Sequence, residues 1–268
     1  MITGGTSGIG EVAAVALAGQ GARIVLIARD PLRANATLMK LPGDWHKAYI
    51  ADLSRLSEMK RVSDSIAAEE PGIDVLINNA GALFNKRQVT QDGLERTFAT
   101  NHMAYFVVTN MLLPKMKAGS RIVSTASDAH QGNTLDFADL QSEKRYSGFS
   151  VYGKSKLANI LFNRALAHRL EGTGITANCL HPGFVATRFG DESGGLFQTI
   201  IKLGKPVAAL SPEEGAKTII YLASSPAVEG RSGGYYIKDK LAVPTRQAQS
   251  DADAQRLWDV SAGIAHVG

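Results

Sequence analysis

Cysteine is almost absent from this 268-residue sequence, which contains only Cys179. A single cysteine excludes an intramolecular disulfide. Its place in the strand-like segment ITANCLHP predicts a small buried core residue. No apolar run approaches the roughly 20 residues that a membrane-spanning helix needs, and no signal peptide precedes the first motif. These absences predict a cytoplasmic chain without a membrane contact.

Charge is spread thinly along the chain. Charged residues make up 20% of the sequence, the formal net charge is +4, and no run of lysine or arginine occurs. Such a scattered positive excess argues against nucleic-acid binding, although a pI of about 9.1 suits a phosphorylated ligand. Hydrophobic residues, at 44%, can fill a large core, and no repeat or linker divides the chain. We therefore expect one domain over residues 1–268.

A glycine-rich turn opens the chain in the segment MITGGTSGIG. Glycines permit a tight turn and let backbone N–H groups approach a pyrophosphate, which rests on the N-terminus of the next helix. The context supports this motif, because a helix is expected from Glu11 to Gly19 and a strand, RIVLIA, at 23–28. Only Met1 and Ile2 precede the turn, so the first strand is either unusually short or incomplete in this sequence.

The end of the second predicted strand, Ala28-Arg29-Asp30, bears on the choice of dinucleotide. An acidic residue at this edge binds the ribose hydroxyls of NAD, whereas arginine accommodates the 2′-phosphate of NADP. Ala28 is small, Arg29 can grip phosphate bidentately, and Arg33 could add a second cation. Asp30 precedes Pro31 and is expected to cap the next helix; if it turns inward instead, NAD is selected. The pattern favours NADP(H) over NAD(H).

Alternating apolar strands and amphipathic helices predict a parallel sheet covered on both faces. IDVLINNAG at 73–81 is a continuously apolar strand, as expected for burial on two sides. Ser54 is expected to cap a helix at 55–69, and Ser211 a helix that ends near 224. The fold class is α/β, a single doubly wound Rossmann-type sheet of about seven parallel strands flanked by helices. The other predicted strands are HKAYIADLS (46–54), SRIVSTAS (120–127), GITANCLHPG (174–183) and GGYYIK (233–238), and the long helices span 91–117, 148–171 and 250–263.

The segment FSVYGKSKLAN at 149–159 carries the strongest chemical signal. It places Tyr152 and Lys156 four residues apart in a run of helix formers, and this spacing stacks them on one helical face. A free phenol titrates near pH ~10 and a neighbouring cation favours the phenolate, so we expect Lys156 to lower the pKa of Tyr152. A surface tyrosine beside a solvated lysine gives the same pattern. Ser127 at a strand end and Asn101, a polar amide in an apolar helix, strengthen the catalytic interpretation.

Five motifs occur in a diagnostic order: TGGTSGIG, NNAG at 78–81, Ser127, YGKSK at 152–156 and HPGFVAT at 181–187. In this order they resemble the motifs of the classical short-chain dehydrogenases/reductases over essentially the whole chain. RIVSTASDAH, HPGFVATRF and the tail that ends in AQRLWDVSAG resemble the retinol-dehydrogenase-like branch of that family. The branch includes many bacterial members, so the resemblance does not assign a retinoid substrate.

The resemblance implies a metal-free oxidoreductase that interconverts an alcohol and a carbonyl compound by hydride transfer with a nicotinamide dinucleotide. Tyr152 would exchange a proton with the substrate oxygen, and Ser127 would hold that oxygen by a hydrogen bond. Lys156 would bind the nicotinamide ribose and lower the pKa of Tyr152, while Asn101 would hold a water molecule in a proton relay. The implied dinucleotide contacts are Gly4, Thr6, Ser7, Gly8, Ile9, Gly10, Arg29, Arg33, Asp52, Leu53, Asn79, Ala80, Gly81, Tyr152, Lys156, Pro182, Gly183, Val185 and Thr187.

Two other functions stay open from the sequence. The same site could reduce C=C or C=N bonds, or the chain could be a non-catalytic NADP-sensing regulator. Such a regulator usually lacks the tyrosine or the lysine, and both are present here. The small-molecule substrate is expected to be apolar, because the segment 188–210 is expected to form a lid. Its apolar residues are Leu196, Phe197, Ile200 and Ile201.

A homo-oligomer, at least a dimer, is also expected. The helix predicted over 91–117 carries Met103, Val107 and Met111 beyond the single apolar stripe that one core would bury. The family resemblance implies that this helix and the helix of Tyr152 pair with their copies across a two-fold axis.

Overall fold

The computed structural model describes residues 1–185 and 210–267 of the chain. Within these residues, eight strands form one sheet: β1 (Ile2–Thr3), β2 (Val25–Ala28), β3 (Lys47–Ile50), β4 (Val75–Asn78), β5 (Arg121–Thr125), β6 (Thr176–His181), β7 (Tyr235–Ile237) and β8 (Lys240–Ala242). Their order is β3-β2-β1-β4-β5-β6-β7-β8. All neighbours pair in parallel except β7 and β8, which are antiparallel. The predicted doubly wound sheet is confirmed, with one short antiparallel strand in addition to seven parallel ones.

Helices cover both faces of this sheet. They are α1 (Gly8–Gly19), α2 (Pro31–Leu38), α3 (Leu56–Glu69), α4 (Arg96–Phe98), α5 (Ala104–Leu112), α6 (Gly148–Arg169), α7 (Pro212–Ser224) and α8 (Asp251–Ala265). A π-helical turn, Ala99–Met103, joins α4 to α5. Across the described ranges, 1–185 and 210–267, no helix combines the length and the apolar character that crossing a membrane would require.

Successive strand residues supply two separate cores. Ile27 and Leu76 pack in the core that α3, α5, α6 and α8 cover. Their neighbours Leu26 and Ile77 pack in the core under α1 and α7. Side chains alternate between the two faces of a strand, so a strand buried on both sides must be apolar throughout. This requirement explains why the strands were readable as continuous apolar runs.

Helix starts show where local sequence rules hold and where they fail. Asp30 caps α2 and Ser211 caps α7, each accepting hydrogen bonds from first-turn N–H groups, as predicted. The predicted cap Ser54 is wrong: Arg55 is the N-cap residue of α3, and Ser54 donates its N–H and hydroxyl to Asp52 Oδ1 instead. The helix predicted from residue 91 begins at Arg96, because the Glu95 carboxylate accepts from the N–H groups of the first turn.

Two of the three residues on which the prediction of an oligomer rested are buried, which weakens that prediction. Met103 and Val107 are completely buried within the chain itself, so they cannot form an outward apolar face as the sequence suggested. Only Met111 of the three is partly exposed. The single cysteine, Cys179, is buried in the core, as predicted.

His102 is a completely buried histidine in the π-helical turn. Its ring lies 5.1 Å from the ring of Phe98, and Nε2 lies 2.8 Å from Ser261 Oγ of α8. Burial lowers the pKa of His102 to about 3, because the charged imidazolium loses its hydration. The folded chain therefore keeps this side chain neutral well below the pH at which an unfolded chain would protonate it.

This difference makes the fold sensitive to acid. Between about pH 6.5 and pH 3 the unfolded chain binds a proton at His102 that the folded chain excludes, so stability present above pH 6.5 is lost as pH falls. Urea unfolding at pH 7.5 and pH 4.5 should show that wild type loses about 2–3 kcal/mol more than His102→Gln. The control His266→Asn removes an exposed histidine and should lose as much as wild type. An equal loss in His102→Gln would contradict the assignment.

Candidate active site

The predicted site residues converge at the carboxyl edge of the sheet. The glycine-rich turn follows β1, Asn79–Gly81 follow β4, Ser127 follows β5, and Pro182 follows β6. In open parallel sheets this edge is where ligands bind. Helix α6 starts close to the same edge and contributes Tyr152 from its second turn and Lys156 from its third.

Tyr152 and Lys156 lie on one face of α6, as their spacing predicted. Lys156 Nζ is 5.4 Å from the centroid of the Tyr152 ring and 5.9 Å from that of Tyr105. The Lys156 side chain is buried, and Nζ donates to the Thr125 carbonyl at 3.0 Å. A side-chain hydrogen bond joins Ser127 to Tyr152. Three of the four residues predicted to be catalytic therefore form one cluster.

Burial dominates the electrostatics of this cluster. It raises the pKa of Tyr152 above its usual value, an effect that the hydrogen bond with Ser127 partly offsets. Burial also lowers the pKa of Lys156 to about 7. In the folded chain the pKa of Tyr152 is thus raised by burial, whereas the spacing to Lys156 alone predicted a lowered value. The physical reason is that both groups lose hydration, and loss of hydration favours the neutral form of each.

Asn101, the fourth predicted residue, lies beside the cluster, and its amide bonds to Ala82 and Ser155. Its Nδ2 donates to the Ala82 carbonyl and to Ser155 Oγ, each at 2.9 Å, and its Oδ1 accepts from the Ala82 N–H at 2.8 Å. Both amide hydrogens are thus used within the chain. Gly81 is so close that a Cβ there would lie 3.4 Å from both Asn101 Oδ1 and Lys156 Nζ.

The glycine-rich turn and the Asn79–Gly81 segment form one unit. Thr3 Oγ1 accepts from the N–H groups of Asn79 and Ala80, at 2.9 and 3.0 Å. Asn79 Nδ2 donates to the Gly4 carbonyl at 3.1 Å. Gly4 adopts φ +65°, and a Cβ at Gly10 would overlap the Gly4 carbonyl oxygen. The side chain of Asn79, which is predicted to contact a dinucleotide, also helps to shape the turn.

The start of α1 fits the pyrophosphate of a dinucleotide. Ser7 is its N-cap residue but makes no side-chain cap hydrogen bond, so the first N–H groups of the helix keep their capacity for an anion. The small residues around Gly4 and Gly10 let the backbone approach closely. The predicted contacts Thr6, Gly8 and Ile9 lie in the same turn.

The end of β2 shows how the residues predicted to select the cofactor are used. Ala28 is buried and Arg29 is exposed. Asp30 Oδ1 accepts from the N–H groups of Leu32 and Arg33, at 2.9 and 3.1 Å, and Arg33 Nε lies 3.5 Å from Asp30 Oδ2. The carboxylate of Asp30 is therefore committed to the start of α2.

Several predicted residues lie at the margins of the site. Asp52, followed by Leu53 at the end of β3, accepts hydrogen bonds from Ser54 but stays partly exposed. The predicted contacts Pro182 and Gly183 lie just before Val185, which is the last residue of the described range 1–185. Val185 forms a β-bridge with Leu210. Thr187 and the predicted lid residues 188–209 lie outside the described residues.

Three supporting groups were not singled out from the sequence. The Thr125 carbonyl acts through a position that carries no motif of its own. Thr3 opens the motif TGGTSGIG, but that motif was interpreted through its glycines and the role of the Thr3 hydroxyl was not predicted. Ser155, which donates its hydroxyl to the Tyr152 carbonyl at 2.7 Å, stands inside YGKSK and could have been found there. Backbone acceptors such as Thr125 leave no side-chain signal in a sequence.

Comparison with known proteins adds independent findings. A family model described as short chain dehydrogenase matches residues 1–194. Retinol dehydrogenase 14 of Homo sapiens is 39% identical over 289 residues, which cover 97% of this chain and 84% of that protein. A protein of Streptomyces sp. (strain C5), provisionally named daunorubicin C-13 ketoreductase DnrU, is 38% identical over 98% of this chain and 90% of its own.

Solved structures agree with the sequence comparisons. A crystal structure from Mycobacterium Paratuberculosis has a TM-score of 0.82 and 30% identity, covering 99% of this chain and 92% of its own. A short chain dehydrogenase from Burkholderia cenocepacia J2315, solved in complex with NADP, has a TM-score of 0.68 and 26% identity, covering 87% and 93%.

The packing of Gly10 gives a test of the turn. Gly10→Ala should displace the Gly4 carbonyl and Asn79, because the new Cβ overlaps both. We expect it to lower the melting temperature and to weaken dinucleotide binding by roughly tenfold or more, the loss of about one good hydrogen bond to a charged group. The matched control is Gly19→Ala in the same helix, where nothing lies within 4 Å. Calorimetry should find the control at least as stable as wild type, and fluorescence titration should find that it binds NADPH as tightly as wild type. Equal melting temperatures and equal affinities of the two variants would contradict this account.

Proposed function

Because the chain belongs to the short-chain dehydrogenase family, we propose that it is an NADP(H)-dependent oxidoreductase that interconverts an alcohol and a carbonyl compound. The observation that carries the proposal is the cluster of Tyr152, Lys156 and Ser127 at the carboxyl edge of the sheet. Its hydroxyl and ammonium groups lie beside a turn whose geometry fits a dinucleotide. A non-catalytic sensor would have no need of this buried cluster.

The chain's own residues would position the substrate and move its proton. When bound, the nicotinamide dinucleotide supplies the hydride. Tyr152 donates its proton to the carbonyl oxygen during reduction, and its raised pKa keeps the phenol protonated at neutral pH. Ser127 holds the same oxygen by a hydrogen bond. Lys156, whose pKa is about 7, holds the nicotinamide ribose and returns a proton to Tyr152, with Asn101 fixing the surrounding backbone.

The end of β2 supports NADP(H) as the cofactor. Ala28 offers no carboxylate for the ribose hydroxyls, and the carboxylate of Asp30 is already used as a helix cap. Arg29 is exposed at the point where the 2′-phosphate would lie. A structural neighbour was solved in complex with NADP, which supports this assignment.

The substrate is proposed to be a bulky apolar carbonyl compound or alcohol. Phe149, one turn before Tyr152, is 55% exposed, and Phe184, next to Gly183, is 61% exposed. Exposed aromatic side chains on the two segments that carry site residues suit an apolar ligand. Retinol and daunorubicin, which the names of two relatives carry, both have extended apolar parts. A lid over 188–210 and assembly into at least a homodimer stay predictions.

Replacing the proton donor tests the reaction. Tyr152→Phe should lower kcat by roughly 10²–10⁴ while the Kd for NADPH stays within a few-fold, because only the positioned acid is lost. NADPH oxidation is measured with aldehydes, ketones, quinones and imines. The matched control, Tyr221→Phe on α7, should keep wild-type kcat. Retention of more than about a tenth of kcat in Tyr152→Phe would contradict the assignment of the acid.

Cofactor choice is tested at Ala28 and Arg29. Wild type should prefer NADPH over NADH by roughly ten- to a hundredfold in kcat/KM, since one charge-assisted hydrogen bond contributes about 1.5–3 kcal/mol. The double variant Ala28→Asp, Arg29→Ala should shift the preference toward NADH. Arg29→Ala alone is measured as well, because Ala28 is buried. Arg33→Ala should have a smaller effect, because Arg33 pairs with Asp30. Equal use of both cofactors by wild type would overturn the assignment.

A further inference from the structure

Ser127 begins a single 3-10 turn, Asp128–His130, beyond the end of β5. Ser127 is its N-cap residue, and Ser127 Oγ accepts from the Ala129 N–H at 3.1 Å. The Ser127 carbonyl accepts from the backbone N–H of His130 at 3.1 Å. The position of the Ser127 hydroxyl therefore depends on how this turn is held in place.

His130 fastens the turn through both ring nitrogens. Its side chain is 1% exposed, Nδ1 lies 2.7 Å from the Ser127 carbonyl oxygen, and the Thr245 N–H donates to Nε2 at 3.3 Å. A carbonyl only accepts, so Nδ1 must carry the proton; a backbone N–H only donates, so Nε2 must be unprotonated. The two partners thus select one neutral tautomer. Through it the Ser127 carbonyl is tied to the segment that follows β8.

Neighbouring groups hold the rest of the turn. Tyr235 of β7 donates its hydroxyl to Asp128 Oδ1 at 2.8 Å, and its ring packs edge-on against His130 with centroids 5.4 Å apart. The Asp128 N–H donates to His181 Nδ1 at 3.2 Å, and His181 Nε2 lies 3.5 Å from Asp128 Oδ2. Strands β6 and β7 therefore fix Asp128, while His130 is the side chain that reaches the Ser127 carbonyl.

We infer that His130 is a positioning residue, which sets the orientation of Ser127 by donating from Nδ1 to the carbonyl of Ser127. This inference rests on the proposed function, in which Ser127 holds the substrate oxygen. It differs from a general packing role because Nδ1 adds a side-chain bond to the Ser127 carbonyl, beside the backbone bond from the His130 N–H that every variant at this position keeps. The bond at Nε2 anchors the ring on Thr245 and should matter less for turnover.

Two amide substitutions of His130 distinguish the bond at Nδ1 from the bond at Nε2. In His130→Asn, the side-chain N–H₂ stands at the position of Nδ1 and can still donate to the Ser127 carbonyl. In His130→Gln, the amide reaches one atom further, toward Thr245, and the Ser127 bond is lost. We expect His130→Gln to lower kcat by roughly ten- to a hundredfold, since a displacement of about 1 Å in a site costs about that much. KM should stay within about threefold, and His130→Asn should recover most of kcat. Gln131→Ala, an exposed neighbour, is the control and should match wild type.

A second readout does not depend on turnover. Hydrogen exchange of residues 127–131, measured on the protein alone, should quicken in His130→Gln and stay slow in His130→Asn. A double-mutant cycle then tests whether His130 acts through Ser127. In a Ser127→Ala background, His130→Gln should lower kcat by less than about threefold more, because the residue that it positions is already gone.

The outcomes separate this inference from the proposed function. If Ser127→Ala impairs turnover but His130→Gln does not, or if the two effects add in full, the inference is overturned and the function stands. If folded His130→Asn loses as much kcat as His130→Gln, the bond at Nδ1 is not the cause and the inference is overturned. If Ser127→Ala keeps wild-type kcat, the role of Ser127 in the proposed function and the inference both fail.

Discussion

Lys156 donates a hydrogen bond to the carbonyl of Thr125 inside the protein, and this contact joins α6 to the end of β5. The side chain of Thr125 continues the connection, because its hydroxyl donates to Asn79 Oδ1 at 3.3 Å. Asn79 in turn donates to the carbonyl of Gly4. A helix, a strand end and two turns are thus linked into one polar unit at the edge of the sheet. Burying an ammonium is costly unless partners compensate, and the aromatic rings of Tyr152 and Tyr105 near Nζ supply part of that compensation.

The remaining site residues lie in short irregular turns that the neighbouring helices and strands hold in place. Asn101 lies in a π-helical turn, a feature frequent at functional sites, and its amide clamps Ala82 to Ser155. Ser127 begins a 3-10 turn just past β5. Helices and strands alone would repeat their geometry and could not aim such different side chains at one point. The sheet and its covering helices supply an apolar scaffold, whereas these short turns orient the polar site residues.

Sequence reasoning succeeded where one local rule decides the outcome. Strands buried on two faces must be apolar, so Ile77 and Val123 marked the sheet, and Asp30 before Pro31 marked a helix start that the structure confirms. It failed where polar groups compete for the same hydrogen-bond partner, or where packing between distant elements decides burial. Ser54 resembled a cap, but the side chain of Asp52 takes both of its donors. Met103 and Val107 resembled an outward face, but both are buried in the core that α3, α5, α6 and α8 cover. Competition and long-range packing depend on the whole fold, which no short window of sequence contains.

The pKa values of Tyr152 and Lys156 could not be predicted from the spacing of the two residues either. The directions of both pKa shifts follow from burial. A phenol and an ammonium normally titrate at similar pH, near ~10. Burial raises the pKa of Tyr152 and lowers that of Lys156, so it favours the uncharged form of each group. Once the phenol gives up its proton, the phenolate lies in a medium of low dielectric constant, where attraction to a lysine ammonium is stronger than in water. Such a site keeps the tyrosine protonated at neutral pH. It stabilises the phenolate only while the lysine carries its charge.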